Sequence, residues 1–436
     1  MLRCYKSIKL RYSGRGYAIL VSTNRRFSKI NINEVMKFND IIRSKATWRR
    51  LAIASIAILL VEGTSAAICL YVDRIGVGRP LWDPDLQEAG RNWDDQGAII
   101  DPEMGGYRAS GAKENREFPS GSRSCGAAFG DSFVGGAETP DDKGWVEQLS
   151  HLLGCRIDNY AVGNYGTDQA YLRFLRINDR SPIALLGINP NNIEDNIGEY
   201  DAFLGAPLVP TAVKGRFLLD PPGHLRWVPQ PALDRDGFIR LNRAPAAMLP
   251  NSYFLPDTRD GPVTPSFPYT VTLARVLMKP RLVATLAQHA PWGPLYDVRH
   301  PSGALQLMTA ICQSFAEVSK SRGQRPLILF LPGTASFREK AFHGEFEYAP
   351  LADRLRAAGI ETLDLGPPLT DELSGRSPCV LFTHQRHGLS WLAPLLPCGG
   401  HYSVMANTLI AKEVAAELQR RKFPAPPPSQ NPAKSN

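Results

Sequence analysis

From residue 124 onward, short apolar runs alternate with stretches in which apolar residues recur every three to four positions. The first pattern suits strands buried on both faces, the second amphipathic helices. SCGAAF (124–129) reads as a strand, and DKGWVEQLSHLLG (142–154) as a helix with Trp145, Val146, Leu149, Leu152 and Leu153 on one side. CRIDNYAVGN (155–164) is a second strand running into a Gly/Asn turn. TDQAYLRFLRIN (167–178) is a helix and PIALLGI (182–188) a third strand. The helix 304–323 leads to the strand RPLILFLP (325–332). GIETLDL (359–365) is a fifth strand and NTLIAKEVAAELQRRKF (407–423) a terminal helix. This βαβα order predicts an α/β domain over 124–423, a flavodoxin-like, doubly wound parallel sheet of about five strands. Residues 190–303 interrupt it as a long Pro-rich insertion with strand-like pieces, GRFLL and HLRWVPQP. The tail 424–436 (PAPPPSQNPAKSN) reads as disordered.

Ahead of this domain lies a different pattern. Residues 51–72 (LAIASIAILLVEGTSAAICLYV) form one apolar run of 22 residues with a single charge, Glu62. About 20 apolar residues suffice to cross a bilayer. Burying Glu62 would cost roughly 2.5–3.5 kcal/mol, which a strong flanking run tolerates. The run reads as a transmembrane anchor. A cleaved signal with small residues at Thr64–Ala67 is the alternative, disfavoured by the long segment that precedes it. Residues 73–123, rich in Gly, Asp, Pro and Arg, read as a stalk or lead-in.

Charge then fixes direction and removes one class of function. The net charge is +8, which invites a nucleic-acid reading. Residues 1–50, however, carry 13 Lys/Arg against only Glu34 and Asp40, while the remainder carries 37 basic and 40 acidic residues. The folded part is near neutral and shows no basic–aromatic stripe, so nucleic acid is not an expected partner. A basic segment before the apolar run stays on the cytoplasmic side. The chain is therefore expected to be a single-pass inner-membrane protein with its main domain outside the cytoplasm, in the periplasm. The seven cysteines form no CxxC. Disulfides Cys379–Cys398 or Cys125–Cys155, and buried free thiols, remain open alternatives.

Candidate chemistry sits at the strand ends. Strand one ends Phe129-Gly130-Asp131-Ser132-Phe133. A serine on a strand-to-helix turn presents its hydroxyl above the sheet edge, with its own N–H aimed outward. Strand two runs into Asn159–Gln169 (NYAVGNYGTDQ), whose Gly-rich turn can aim a backbone N–H at the same point. Strand three ends Gly187-Ile188-Asn189-Pro190, and Gly399-Gly400-His401-Tyr402-Ser403 precedes the last helix. Singly, each has an ordinary reading as a helix cap, a turn or a surface histidine. His384 and His387 lie near Cys379 and Cys398 without a recognised ligand spacing, and no GxSxG elbow, HExxH, Walker loop or GxGxxG is present.

Together, in this order, the four blocks resemble the SGNH (GDSL-type) hydrolase and acyltransferase family, in particular exported enzymes with GYGTDQ-like and GHYS…N-like blocks. Here these read NYGTDQ (164–169) and GHYSVMAN (400–407). The resemblance implies the SGNH fold, with Ser132 as nucleophile and His401 as base. It also implies an oxyanion hole from the N–H groups of Ser132 and Gly163 or Asn164 and the side chain of Asn189, and no cofactor. It further implies acyl-ester chemistry on the O-acetyl groups of a cell-envelope or exported polysaccharide, by hydrolysis or by transfer from a membrane-bound acyl-donor partner. Three positions depart from the family pattern. Asn164 replaces a glycine, Pro190 replaces an aspartate, and Cys398 stands where D-x-x-H places the acid that supports the histidine. Asp364, at the end of the fifth strand, is the expected substitute, with Asp371 second. Cys398 also motivates a rival reading, a non-catalytic glycan-binding or assembly protein. A third is a lipase-like esterase with Phe254, Phe267, Tyr269 and Trp292 at its mouth.

Overall fold

The computed structural model describes residues 7–13, 16–23, 26–31, 45–74, 101, 104, 111–200, 203, 213–231, 241, 244–384 and 398–423. The chain divides into two units, residues 1–71 with 267–271, and the remainder.

The first unit holds a three-stranded antiparallel meander, β1 (Ser7–Ser13), β2 (Gly16–Thr23) and β3 (Arg26–Asn31). Pairing runs to Ser13↔Gly16 and Thr23↔Arg26, so each connection is a two-residue hairpin. This segment was expected only to be basic. Its strand signal is the alternation of Ile8, Leu10 and Tyr12 with Lys9 and Arg11. The helix α1 (Lys45–Arg74) follows, and within it Lys45–Cys69 is long and apolar enough to cross a membrane. Leu51, Ile53 and Ile56 to Val61 carry its exposed apolar surface.

The second unit is the expected α/β domain. Its described elements begin with β4 (Ser124–Phe129), α2 (Ser132–Gly135), α3 (Trp145–Leu153), β5 (Arg156–Asn159), α4 (Thr167–Arg176) and β6 (Ile183–Ile188). The insertion 190–303 supplies α5 (Asn192–Asp195), an antiparallel hairpin β7 (Arg216–Asp220) and β8 (His224–Val228), and the helices α6 (Tyr269–Leu277) and α7 (Pro280–Leu286). The core resumes with α8 (Ala304–Ser321), β9 (Arg325–Phe330), α9 (Thr334–His343), α10 (Ala349–Ala357), β10 (Thr362–Asp364) and α11 (Gly366–Leu373). The short antiparallel pair β11 (Phe382–His384) and β12 (Gly399–Tyr402) then leads into α12 (Val404–Arg420).

The central sheet has five parallel strands in the order β10-β9-β6-β4-β5. Counted along the domain this is the 2-1-3-4-5 order of a flavodoxin-like doubly wound sheet. Strands β4, β6 and β9 are almost wholly buried, which explains why their sequences are continuous apolar runs. The winding reverses at β4: one crossover steps outward to β5, and the next returns to β6 on the other side. Right-handed crossovers then place α3 and α4 on opposite faces. Phe129 pairs in register with Leu186, so the residues after β4 and β6 emerge together at the carboxyl edge. The crevice at that reversal is where doubly wound sheets bind ligands.

Part of the expected stalk belongs to this domain. Residues 111–123 lie along β5: Lys113 N–H donates to Asn159 O (2.7 Å), and Arg156 donates to Phe118 O. The earlier part of the stalk, most of residues 75–110, and the tail 424–436 fall outside the described residues.

Candidate active site

Two glycines shape the turn after β4. A Cβ on Gly130 would meet Val134 Cγ2 at 2.4 Å and Gly187 O at 2.9 Å; one on Gly187 would meet the same Val134 methyl at 2.3 Å. The absence of both side chains lets α2 sit directly on the ends of β4 and β6. Asp131 caps α2, accepting the Phe133 N–H at 2.8 Å, and its other oxygen accepts from Asn192 Nδ2 at 3.2 Å. Burial pushes the Asp131 pKa up, against the pull of the Phe133 N–H and Asn192. Its carboxylate is spent on holding the turn.

Ser132 follows, and its Oγ lies 2.8 Å from His401 Nε2. The histidine comes from β12, some 270 residues later, and three contacts hold it there. Tyr402 OH donates to Pro332 O (2.8 Å), Ser403 N–H donates to Leu381 O (2.8 Å), and Asn407 Nδ2 donates to Tyr402 O (3.0 Å). Trp145 brackets the pair. Its backbone N–H donates to Asn407 Oδ1 and its indole N–H to Phe133 O, each at 3.0 Å. The Phe133 ring lies 5.1 Å from the imidazole and 5.0 Å from the Tyr402 ring, centroid to centroid.

The acid beside His401 is Glu138. Its Oε2 lies 3.2 Å from His401 Nδ1, close to the ring nitrogen but outside the geometry of an aligned hydrogen bond. The same oxygen accepts the His401 backbone N–H at 3.0 Å and the Thr383 hydroxyl. Burial opposes ionisation of Glu138, but the bonds from Thr383 and His401 outweigh it and lower its pKa to about 2. Glu138 reaches this point because the chain doubles back after α2. Gly136 (φ 67°) and Glu138 (φ 63°) are both left-handed, and Ala137 N–H returns to Ser132 O at 3.1 Å.

Asp364 is placed elsewhere. Its Oδ1 accepts Tyr348 OH (2.6 Å) and the Gly366 N–H (2.9 Å). The reason is topological: β10 is the edge strand, three strands from β4, which at sheet spacing is about 14 Å. Asp371 lies within α11. Cys398 is disulfide-bonded to Cys379, and Cys125 to Cys155, with Cα–Cα distances of 5.3 and 6.0 Å. Neither Cys379 nor Cys398 is therefore a free thiolate that could share a metal with His384 or His387, and His387 lies outside the described residues.

The remaining expected residues gather at the same edge. Val162 N–H donates to Gly130 O (3.1 Å), and Tyr165 N–H closes a turn onto Val162 O (3.3 Å). Gly163 and Asn164 are the central residues of that turn. Asn164 adopts φ 65°, a left-handed conformation that Asn tolerates better than most residues, which explains how it stands where a glycine was expected. A Cβ on Gly163 would lie 4.0 Å from Ser132 Cβ. Asn189 is buried, and its Oδ1 accepts the Asn191 N–H at 3.3 Å. Among the described residues, Asn189 Nδ2 and the N–H groups of Ser132 and Gly163 have no acceptor. Such an edge can place a hydroxyl, a base and outward-facing donors around one small group.

A doubly wound α/β domain with a Ser–His–carboxylate constellation at its carboxyl edge is what fold and geometry define. No protein-family model matches the chain, and no curated protein matches it. Among solved structures it is similar to a Desulfitobacterium hafniense DCB-2 protein assigned to the G-D-S-L lipolytic family. Identity there is 12%, covering 67% of this chain and 97% of that one, with a TM-score of 0.29. It is also similar to TesA, at 10% identity over 68% of this chain and 99% of that one, with a TM-score of 0.31. These superpositions are loose, and the fold assignment rests on strand order and register.

Glu138 was not anticipated. It lies six residues after Ser132 in GGAE, where nothing in the sequence separates it from an exposed loop acid. Asn407 and Trp145 were visible only as part of a block and of a helix face.

Proposed function

We propose that this protein is a serine-dependent acyl-ester enzyme acting outside the cytoplasm, with Ser132 as nucleophile, His401 as base and Glu138 as the supporting acid. The observation that carries it is the 2.8 Å contact between Ser132 Oγ and His401 Nε2, with Glu138 behind the ring. The Glu138 carboxylate favours the tautomer protonated at Nδ1, which leaves Nε2 free to accept the serine proton. Ser132 Oγ attacks the ester carbonyl carbon, and its proton passes to Nε2. The carbonyl oxygen, now negative, is met by the N–H groups of Ser132 and Gly163 and by Asn189 Nδ2. Collapse expels the alcohol, which takes the proton from His401 and leaves an acyl-serine. Water or a sugar hydroxyl, deprotonated by His401, then releases the acyl group.

The substrate reading is an O-acetyl group on a cell-envelope or exported polysaccharide. The candidate span Lys45–Cys69 and the two disulfides support a periplasmic setting, since disulfides persist in oxidising compartments. An anchored domain would also sit beside a membrane-bound acyl donor. The test is acetyl-ester turnover by the full chain in detergent, with and without a glycan acceptor. Turnover that vanishes in Ser132→Ala and His401→Ala supports the reading. Glycan binding with no turnover and no acyl-serine, in an otherwise folded protein, moves the assignment to a binding protein.

A further inference from the structure

A second cluster of chemistry lies away from Ser132, where the end of the insertion meets α9. Glu339 and His343 stand four residues apart on α9, so they share one face of that helix. His289, from the loop after α7, stacks on His343 with ring centroids 3.7 Å apart and planes 9° apart. Each of the three offers one ligand atom, and these atoms lie within 4.8 Å of one another. His289 Nδ1 is 2.8 Å from Glu339 Oε1, and Ala290 N–H donates to Glu339 Oε2 at 2.7 Å. The carboxylate is thereby fixed against the first histidine.

These residues line a cavity of about 450 Å³ that also receives Asp297, Glu345 and Glu347 and is lined by no Lys or Arg. Four carboxylates and two imidazoles around one opening make an environment suited to a cation. A separate observation concerns Glu347, which is 8% exposed. Ser336 and Trp292 both donate to its Oε1, at 2.6 and 2.8 Å, while Oε2 is buried with no partner among the described residues. Leaving a buried acceptor unpaired is costly, so this oxygen, on a residue that lines an anionic cavity, points to a missing positive partner.

From this geometry we infer that His289, Glu339 and His343 bind a divalent transition-metal ion of the zinc class, with Glu347 as a supporting carboxylate in the wall of the same cavity. Two imidazoles and a carboxylate suit zinc better than the all-oxygen shells of calcium or magnesium. The ion would tie the insertion, through His289, to a helix whose other end begins beside Asn189. A Cβ on Gly333, the residue that caps α9, would lie 3.7 Å from Asn189 Nδ2. The site is thus a brace for the wall of the crevice, distinct from the Ser132 pair.

The experiment is Zn²⁺ titration by calorimetry of the chelator-stripped full chain in detergent, with bound metal counted by elemental analysis. Wild type should take up one ion per chain. His289→Gln and His343→Gln should each weaken binding by at least about 100-fold, and Glu347→Gln by about 10-fold, as loss of a supporting carboxylate does. Zn²⁺ should raise the wild-type melting temperature and leave that of His343→Gln unmoved, provided circular dichroism shows the variant folded. If the variants do not fold, Co²⁺ loaded into wild type should give the visible spectrum of a four- or five-coordinate nitrogen–oxygen site. No uptake by wild type, equal uptake by folded His289→Gln and His343→Gln, or an octahedral Co²⁺ spectrum would overturn the assignment.

Discussion

The two halves of the Ser–His pair are held by opposite strategies. The serine half is local. Strand β4, the Gly130 turn and the short helix α2 are contiguous in sequence, and the turn is locked by close packing of Val134 on Gly130 and Gly187. The histidine half is assembled from distant pieces. It combines a two-stranded ladder, the disulfide Cys379–Cys398, the Asn407 amide and an acid borrowed from the serine half. Ser132 is therefore pinned by the core of the sheet, and His401 by a small number of individually removable contacts. Glu138 joins the two, because the segment that carries it begins at Ser132 and its side chain ends against His401.

Several changes should break or sharpen this contrast. Ser132→Ala should have the largest effect, lowering ester turnover by about 10³-fold or more with little loss of stability. Kinetics on the detergent-solubilised chain check this. Breaking each disulfide should separate the halves next. Their sequence separations of 30 and 19 predict similar stability losses of about 3 kcal/mol each. Cys125→Ser leaves β4 paired to both β5 and β6, so activity in folded protein should be largely retained. Cys379→Ser removes the covalent tie across the short β11–β12 ladder beneath His401, and activity should fall more than stability does. Parallel urea melts and rate assays separate these outcomes.

A smaller effect concerns pH. The Glu138 pKa is lowered to about 2, so its ionised form stabilises the folded state. That contribution is complete above the ordinary glutamate range, near pH 4.5, and is lost as pH falls toward about 2. Unfolding curves of wild type and Glu138→Gln should therefore differ near neutrality and converge at about pH 2. The smallest expected change is Asn164→Gly. It relieves a left-handed asparagine in the Val162–Tyr165 turn and should leave turnover intact, with stability altered by at most about 1 kcal/mol.

The same contrast governs what could be read from the sequence. The serine half was legible because its signals are contiguous: a buried strand, a Gly-Asp-Ser turn and a helix start. The strand periods also gave the doubly wound sheet, whose order then placed Asn189 beside the Ser132 turn. The supporting acid was not legible. Asp364 looked suitable because it ends a strand, but strand order puts β10 at the far edge, and order is a property of the whole sheet. Glu138 owes its place to two successive left-handed turns that no periodicity announces. The β1–β3 meander was not legible because its alternation of Ile8, Leu10 and Tyr12 with Lys9 and Arg11 is short and set in a strongly basic segment. The helices α9, α10 and α11 went unassigned because their apolar stripes are short.

The central claim is that Glu138, and not Asp364, supports the pair. The direct measurement is the rate at which a serine-reactive phosphonate labels Ser132 in the full chain, located by peptide mass spectrometry, in wild type, Glu138→Gln and Asp364→Asn. The account predicts labelling at Ser132 in wild type, slowed by about 10²–10⁴-fold in Glu138→Gln and unchanged in folded Asp364→Asn. Equal rates in wild type and Glu138→Gln, or loss of labelling with Asp364→Asn alone, would contradict it.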